Sequence, residues 1–297
     1  MDDAWFQLIG ILLWPISIVL RALVSSAFAQ RQLRDTVRRL LAQEPVLWSG
    51  HWPWPAPESY ALFCDPEIAK RDAFKIGLLQ LIAMRILIPE YIQESEHKNQ
   101  WETILRRGPT SSQRLNGSVA TIYRLWESSS EPRTVGQVAQ QTKQKFGSLA
   151  SFAEREVMPS LSHTELHTRQ GEMESRMAAV LHHMQQQRGC WIDREPHQAL
   201  IAAVVAVAAE RPTPLEKKEV QLITQQSERV GGVATVPQEN NTHDDSWPIW
   251  LDWLILHNFE RTFAVIDSVH GVDRGDGSDG SDNGNGGDSV DCCDIGS

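Results

Sequence analysis

A 17-residue apolar run, Ala4 to Leu20, stands four residues into the chain, and nothing else in the sequence constrains the fold as tightly. Such a run has to be covered by lipid or by protein. Its length sits at the short end of what crosses a hydrocarbon core about 30 Å thick. Extension through Ala22 to Ala29 brings it to full length and includes Arg21, which can snorkel towards a headgroup layer. Trp5 stands where an interfacial anchor belongs, and Pro15 bends such a helix without forbidding it. No Lys or Arg precedes the run, whereas Arg21, Arg31, Arg34, Arg38 and Arg39 follow it. The positive-inside rule then predicts a single-pass membrane protein with its amino terminus outside and its bulk cytoplasmic. Two other readings stay open: a secretory signal cleaved after Ala27-Phe28-Ala29, against which Asp2 and Asp3 argue, and a helix packed into something else.

The four cysteines, Cys64, Cys190, Cys292 and Cys293, do not form the framework of a secreted disulfide-rich protein. Net charge is −10, and the stretch 272–297 contributes −6 of it through seven aspartates and one arginine.

Periodicity predicts a mainly α fold punctuated by prolines and glycines. The organisation expected is a membrane helix over 1–29, a basic helix and Trp/Pro strap over 30–56, and a helical domain over 57–232. A linker at 233–246, an aromatic helix at 247–266 and a disordered acidic Gly/Asp tail at 267–297 complete it. Leu33, Val37, Leu40 and Leu41 share one face of the basic helix. Alternating proline in Trp52-Pro53-Trp54-Pro55-Ala56-Pro57 forces an extended path. Its tryptophans either grip a partner or, the more ordinary arrangement, cap the core of their own domain.

Beyond the strap, a short helix to Phe63, a break at Asp65-Pro66 and a helix from Glu67 to Ala83 are expected, then a brief strand at Ile86-Leu87-Ile88. Residues 93–114 read as a loop. Val119, Ile122, Tyr123 and Trp126 fall on a helical stripe, and Thr134 with Gln137 fits a capping box. The run at 199–209 is too short to span a bilayer and predicts a helix buried by protein. Thr213-Pro214-Leu215-Glu216 starts a further helix. The tail has almost no apolar surface with which to offset the entropy of ordering.

Leu78, Leu79, Ile82 and Leu87 align with Val157, Met158, Leu161 and Leu166 at a spacing of 79 residues. The stretches DAFKIGLLQLIAMRIL and KFGSLASFAEREVMPSLSHTEL resemble the helical repeats of uncharacterised bacterial membrane proteins that have a hydrophobic anchor and a Gly-rich, Cys-containing tail. That resemblance implies winged-helix-like units, over 57–92 and 134–168, each ending in an Arg-Gly-Leu type of turn. Here Arg85-Ile86-Leu87 and Thr164-Glu165-Leu166 lack the glycine.

No Gly-x-Ser-x-Gly elbow, phosphate-binding Gly-Lys-Ser/Thr loop or Cys-x-x-Cys pair occurs, and no cofactor is implied. His163 and His167 are four apart but lack the His-Glu-x-x-His order of a zinc protease. Asp282 to Asp288 echoes a calcium loop, yet Cys293 stands where the closing Glu belongs, so only weak Ca²⁺ association of the tail is expected. The function expected is a non-catalytic protein-interaction or scaffolding module at the membrane, with Trp52, Trp54, Trp247, Trp250 and Trp253 as candidate contacts to a protein partner and membrane lipid as the other. The alternatives are a membrane-tethered winged-helix DNA binder using Lys70, Arg71 and Lys75, and a metal-dependent enzyme. Glu67 and Asp72 beside those cations suit a phosphate backbone poorly, which sets nucleic acid behind protein.

Overall fold

The computed structural model describes residues 27–28, 31–44, 52–95, 100–109, 112, 115–128, 133–186, 195–208 and 263–269. The described residues are mainly helical, 76% of them, and include a small antiparallel sheet.

In chain order the elements are α1 (31–41), α2 (Ala56–Ala61), α3 (Pro66–Ala83), β1 (Leu87–Ser95), β2 (Gln100–Arg107), α4 (Gly117–Glu127), β3 (Arg133–Thr134), α5 (Val135–Phe146) and α6 (Leu149–Glu156). There follow a 3₁₀ turn (Met158–Ser162), α7 (Thr164–Thr168), α8 (Gln170–Gln186), α9 (Glu195–Ala208) and α10 (263–269).

The centre of the fold is α3. Asp65 caps its start by accepting from the Glu67 N–H, Pro66 takes the first turn, and fourteen of its eighteen residues are buried. Helices α2, α4, α6 and α9 surround it. Gly77 brings α4 close, because a Cβ there would stand 2.5 Å from Ile122 Cδ1. The expected stripe Val119, Ile122, Tyr123 and Trp126 is buried, as is α9 from Gln198 to Ala206.

Helix α3 ends in a Schellman turn: the Arg85 N–H donates to Ile82 O at 2.8 Å and the Ile86 N–H to Leu81 O at 3.0 Å. The position usually filled by glycine is Arg85 at φ +56°. The turn forms without glycine, and the left-handed cost falls on an arginine. Gly108 lies against this turn, donating its N–H to Ile86 O at 2.7 Å.

The sheet order is β1-β2-β3, with Leu87 opposite Arg107, Pro89 opposite Leu105 and Leu105 opposite Arg133. Residues 100–107 were expected as part of a loop. They form β2 because pairing on both sides satisfies their backbone and buries Leu105, which the polar composition of the stretch hides. Leu87 opens β1, whereas its aligned counterpart Leu166 lies in helix α7, so a strand ends only the first of the two units. Thr134 forms its capping box with Gln137, and Ser148 caps α6.

The expected single-pass membrane localisation is corrected here. Among the described residues no helix is long and apolar enough to cross a membrane. Helix α3 has the length but carries Glu67, Lys70, Arg71, Asp72 and Lys75, and α9 has the apolarity in only 14 residues. The run Ala4 to Leu20, the Thr213 helix and the acidic tail beyond Val269 lie outside the described residues, whereas 267–269, expected as the start of the disordered tail, are the last turn of α10.

Candidate protein-interaction site

The strap residues are held inward. Trp52 is buried, its ring 5.1 Å from that of Trp54 in an edge-to-face pair, and its indole N–H donates to Ser59 Oγ at 2.7 Å. Ser59 in turn donates to Pro55 O at 2.8 Å. The Arg169 guanidinium lies 5.1 Å from the Trp52 ring and 5.6 Å from that of Trp54, and Arg176 approaches Trp52 to 5.5 Å. Glu172 pairs with both arginines, at 2.6 Å and 2.8 Å. Burial works to raise the Glu172 pKa, but the hydrogen bonds and charge of the two arginines outweigh it and hold the group below its ordinary value. Both rings thus meet Arg169 at the junction of α7 and α8, and Trp52 also meets α8 through Arg176.

A buried carboxylate closes the other end of the strap. Glu58 accepts from the Ser118 N–H at 3.0 Å and from Ser118 Oγ–H at 2.9 Å, and so caps α4 from a distance of 60 residues. Burial pushes its pKa up to about 7 against those hydrogen bonds. This group was not singled out from sequence; an isolated Glu in the first turn of a short helix gives no sign of what it caps.

Lys70, Arg71 and Lys75 were the candidate nucleic-acid contacts, and all three meet carboxylates. Lys70 lies 2.9 Å from both Glu67 and Glu154, whose hydrogen bonds raise its pKa. Arg71 binds Asp72 through Nε at 3.0 Å and Nη2 at 3.1 Å. Lys75 is buried, 3.7 Å from Asp72 and 2.5 Å from Asp267.

Asp267 belongs to α10, and that helix makes the most suggestive arrangement in the molecule. Phe263 and Ile266 are buried in the same core cluster as α3 and α5, with Val269 packed against it. The Lys75 ammonium stands 5.3 Å above the Phe263 ring. A Cβ on Gly136, in the first turn of α5, would stand 3.2 Å from Val265 Cγ1, so the glycine permits the close approach. A helix from the far end of the described chain therefore lies in a groove between α3 and the start of α5, through residues at i, i+3 and i+4. Residues 263–266 fell inside the aromatic helix expected from sequence. Their seat is hidden in the sequence because Lys75 and Gly136 are distant in the chain; Trp247, Trp250 and Trp253 lie outside the described residues.

The remaining candidates have local roles. His167 Nε2 lies 2.7 Å from Leu161 O, and His182 Nε2 lies 2.9 Å from Gln43 O. Among the described residues no group of three or more His, Cys, Asp or Glu is placed to hold a metal. Cys64 is buried, and burial pushes its thiol pKa up; Cys190, Cys292 and Cys293 lie outside the described residues. Comparison with family models, with curated proteins and with solved structures found no match to this chain.

Proposed function

We propose that the chain is a non-catalytic protein-interaction module that holds an amphipathic helix in the groove between α3 and α5. The observation that carries this reading is the seating of α10, with Phe263 and Ile266 buried and Asp267 on Lys75. Helix-in-groove recognition works through such anchors at i, i+3 and i+4, the apolar pair supplying binding free energy and the charge fixing register. Two fully buried side chains of this kind are each worth about 1.5–3 kcal/mol of transfer free energy.

A finer description of the fold as winged-helix-like is supported by the hairpin β1–β2 following α3 directly and by β3 leading into the pair α5–α6. Within that description protein recognition is favoured over nucleic acid, because the cations of α3 are already matched by Glu67, Asp72, Glu154 and Asp267.

The test uses the full chain with Phe263→Ala and Ile266→Ala, which removes the two anchors of the resident helix. Circular dichroism establishes that the variant stays helical, and a fluorescent peptide of residues 258–271 is titrated against it. Saturable binding with Kd on the order of 100 µM or tighter is expected. A folded variant that binds no peptide overturns the reading.

A further inference from the structure

We propose that this groove selects partner helices bearing an aromatic residue, an aliphatic residue three positions on and a carboxylate immediately after it, and that α10 is the chain's own competitor for the site. The proposal rests on the helix-recognition reading above and specifies its partner.

The selecting group is Lys75. Two groups of the bound helix converge on its ammonium: the Phe263 ring at 5.3 Å and, one helical turn later, Asp267 Oδ1 at 2.5 Å. Residues i and i+4 lie on one helix face, so a single helix presents both to one cation. The lysine itself is only 6% exposed. Among the described residues its other ion-pair partner is Asp72, at 3.7 Å, and Asp72 already takes two hydrogen bonds from Arg71 at 3.0 Å and 3.1 Å. With α10 lifted away the ammonium is open to water, and a neutral helix seated in its place would bury it again with only a carboxylate shared with Arg71. A buried charge stripped of its partner is strongly destabilising, so the groove favours an acidic ligand and discriminates against a neutral one. The apolar part of the code follows from the same seat, since Phe263 and Ile266 are 5% and 0% exposed.

Competition follows from connectivity. Residues 209–262, 54 in number, join α9 to α10, so the resident helix is always tethered near its groove. A tether of that kind gives an effective concentration on the order of 1 mM, which a partner helix has to exceed in affinity or in amount. Any event that weakens α10 opens the site.

The experiment keeps the full chain throughout. The 258–271 peptide is titrated against the unaltered protein and against Phe263→Ala/Ile266→Ala, then repeated with an Asp267→Asn peptide and with a Phe263→Ala peptide. Binding to the double variant should be about tenfold tighter or more than to the unaltered chain. Loss of the peptide carboxylate or ring should weaken binding roughly tenfold each. Adding Lys75→Met to the protein should reduce the Asp-to-Asn discrimination to about twofold or less, the mark of a direct coupling in a double-mutant cycle. No binding by the folded double variant sinks the helix-recognition reading itself. Binding that ignores the Asp267→Asn change, or discrimination that survives Lys75→Met, leaves that reading standing and overturns the selectivity proposed here. Equal binding by the unaltered chain overturns the competition. A concentration-dependent dimer of the unaltered chain by light scattering, lost in the double variant, would make a second copy the occupant and overturn the assignment to a foreign partner.

Discussion

Glu58 and Gly117 share one space. A Cβ on Gly117 would stand 2.5 Å from Glu58 Oε1, and the glycine has φ +55°, so the side chain that caps α4 occupies the volume that any larger residue at 117 would need. Gly117→Ala combines left-handed strain with eviction of the cap. It is expected to destabilise the fold by about 2 kcal/mol or more, read as a fall in the midpoint of chemical unfolding.

The same carboxylate makes stability depend on pH. Its folded pKa, about 7, lies above the ordinary value of 4.5, so between those pH values the folded state keeps a proton that the unfolded state releases. Stability contributed by this group therefore falls as pH rises from about 4.5 to about 7, by up to roughly 3 kcal/mol. Denaturant melts of the unaltered chain across that range should show the decline, and Glu58→Gln should flatten it. An unchanged slope in the variant would assign the effect elsewhere.

Glu172 acts in the opposite direction. Its pKa is held below the ordinary value, so the stability it contributes is present above that value and is lost as pH falls through the lowered one. Glu172→Gln should reduce the loss of stability on acidification below about pH 4.5.

Arg176 is fully buried, paired with Glu172 and set against the Trp52 ring. Arg176→Ala removes the charge partner and the packing together and should cost about 3 kcal/mol or more in thermal and denaturant unfolding.

The approach of α3 to α4 gives a compensation test. Gly77→Ala drives a methyl to within 2.5 Å of Ile122 Cδ1 and is expected to cost about 1–3 kcal/mol. Ile122→Val deletes that Cδ1, so the double variant should be less destabilised than the sum of the two single ones, by differential scanning calorimetry.

Local signals carried the reading of the helical elements from sequence. Asp65-Pro66 and Thr134 with Gln137 mark helix starts by side-chain chemistry that needs no tertiary partner, and both caps are present in the structure. The stripe from Val119 to Trp126 is legible for the same reason: a period of 3.6 is written in one helix alone. What stayed hidden depends on pairs distant in the chain. Strand β2 exists because β1 and β3 lie beside it, and Glu58 has a role only once Ser118 is placed 60 residues on. Lys75 reads as one of a basic trio until Asp267 arrives from the far end. The membrane localisation rested on the run from Ala4 to Ala29 alone, and among the described residues no helix is long and apolar enough to cross a membrane.

The central position of α3 has a consequence for synthesis. Its neighbours α4, α6 and α9 all follow it, the last ending at Ala208. A ribosome adding about 5–20 residues per second therefore holds the central helix of the domain without its full shelter for roughly 10 s after the helix emerges. Over that interval the growing polypeptide presents Phe74, Leu78 and Leu81 to the cell, and expression yield should respond to translation speed and to chaperone supply more than the stability of the finished molecule would suggest.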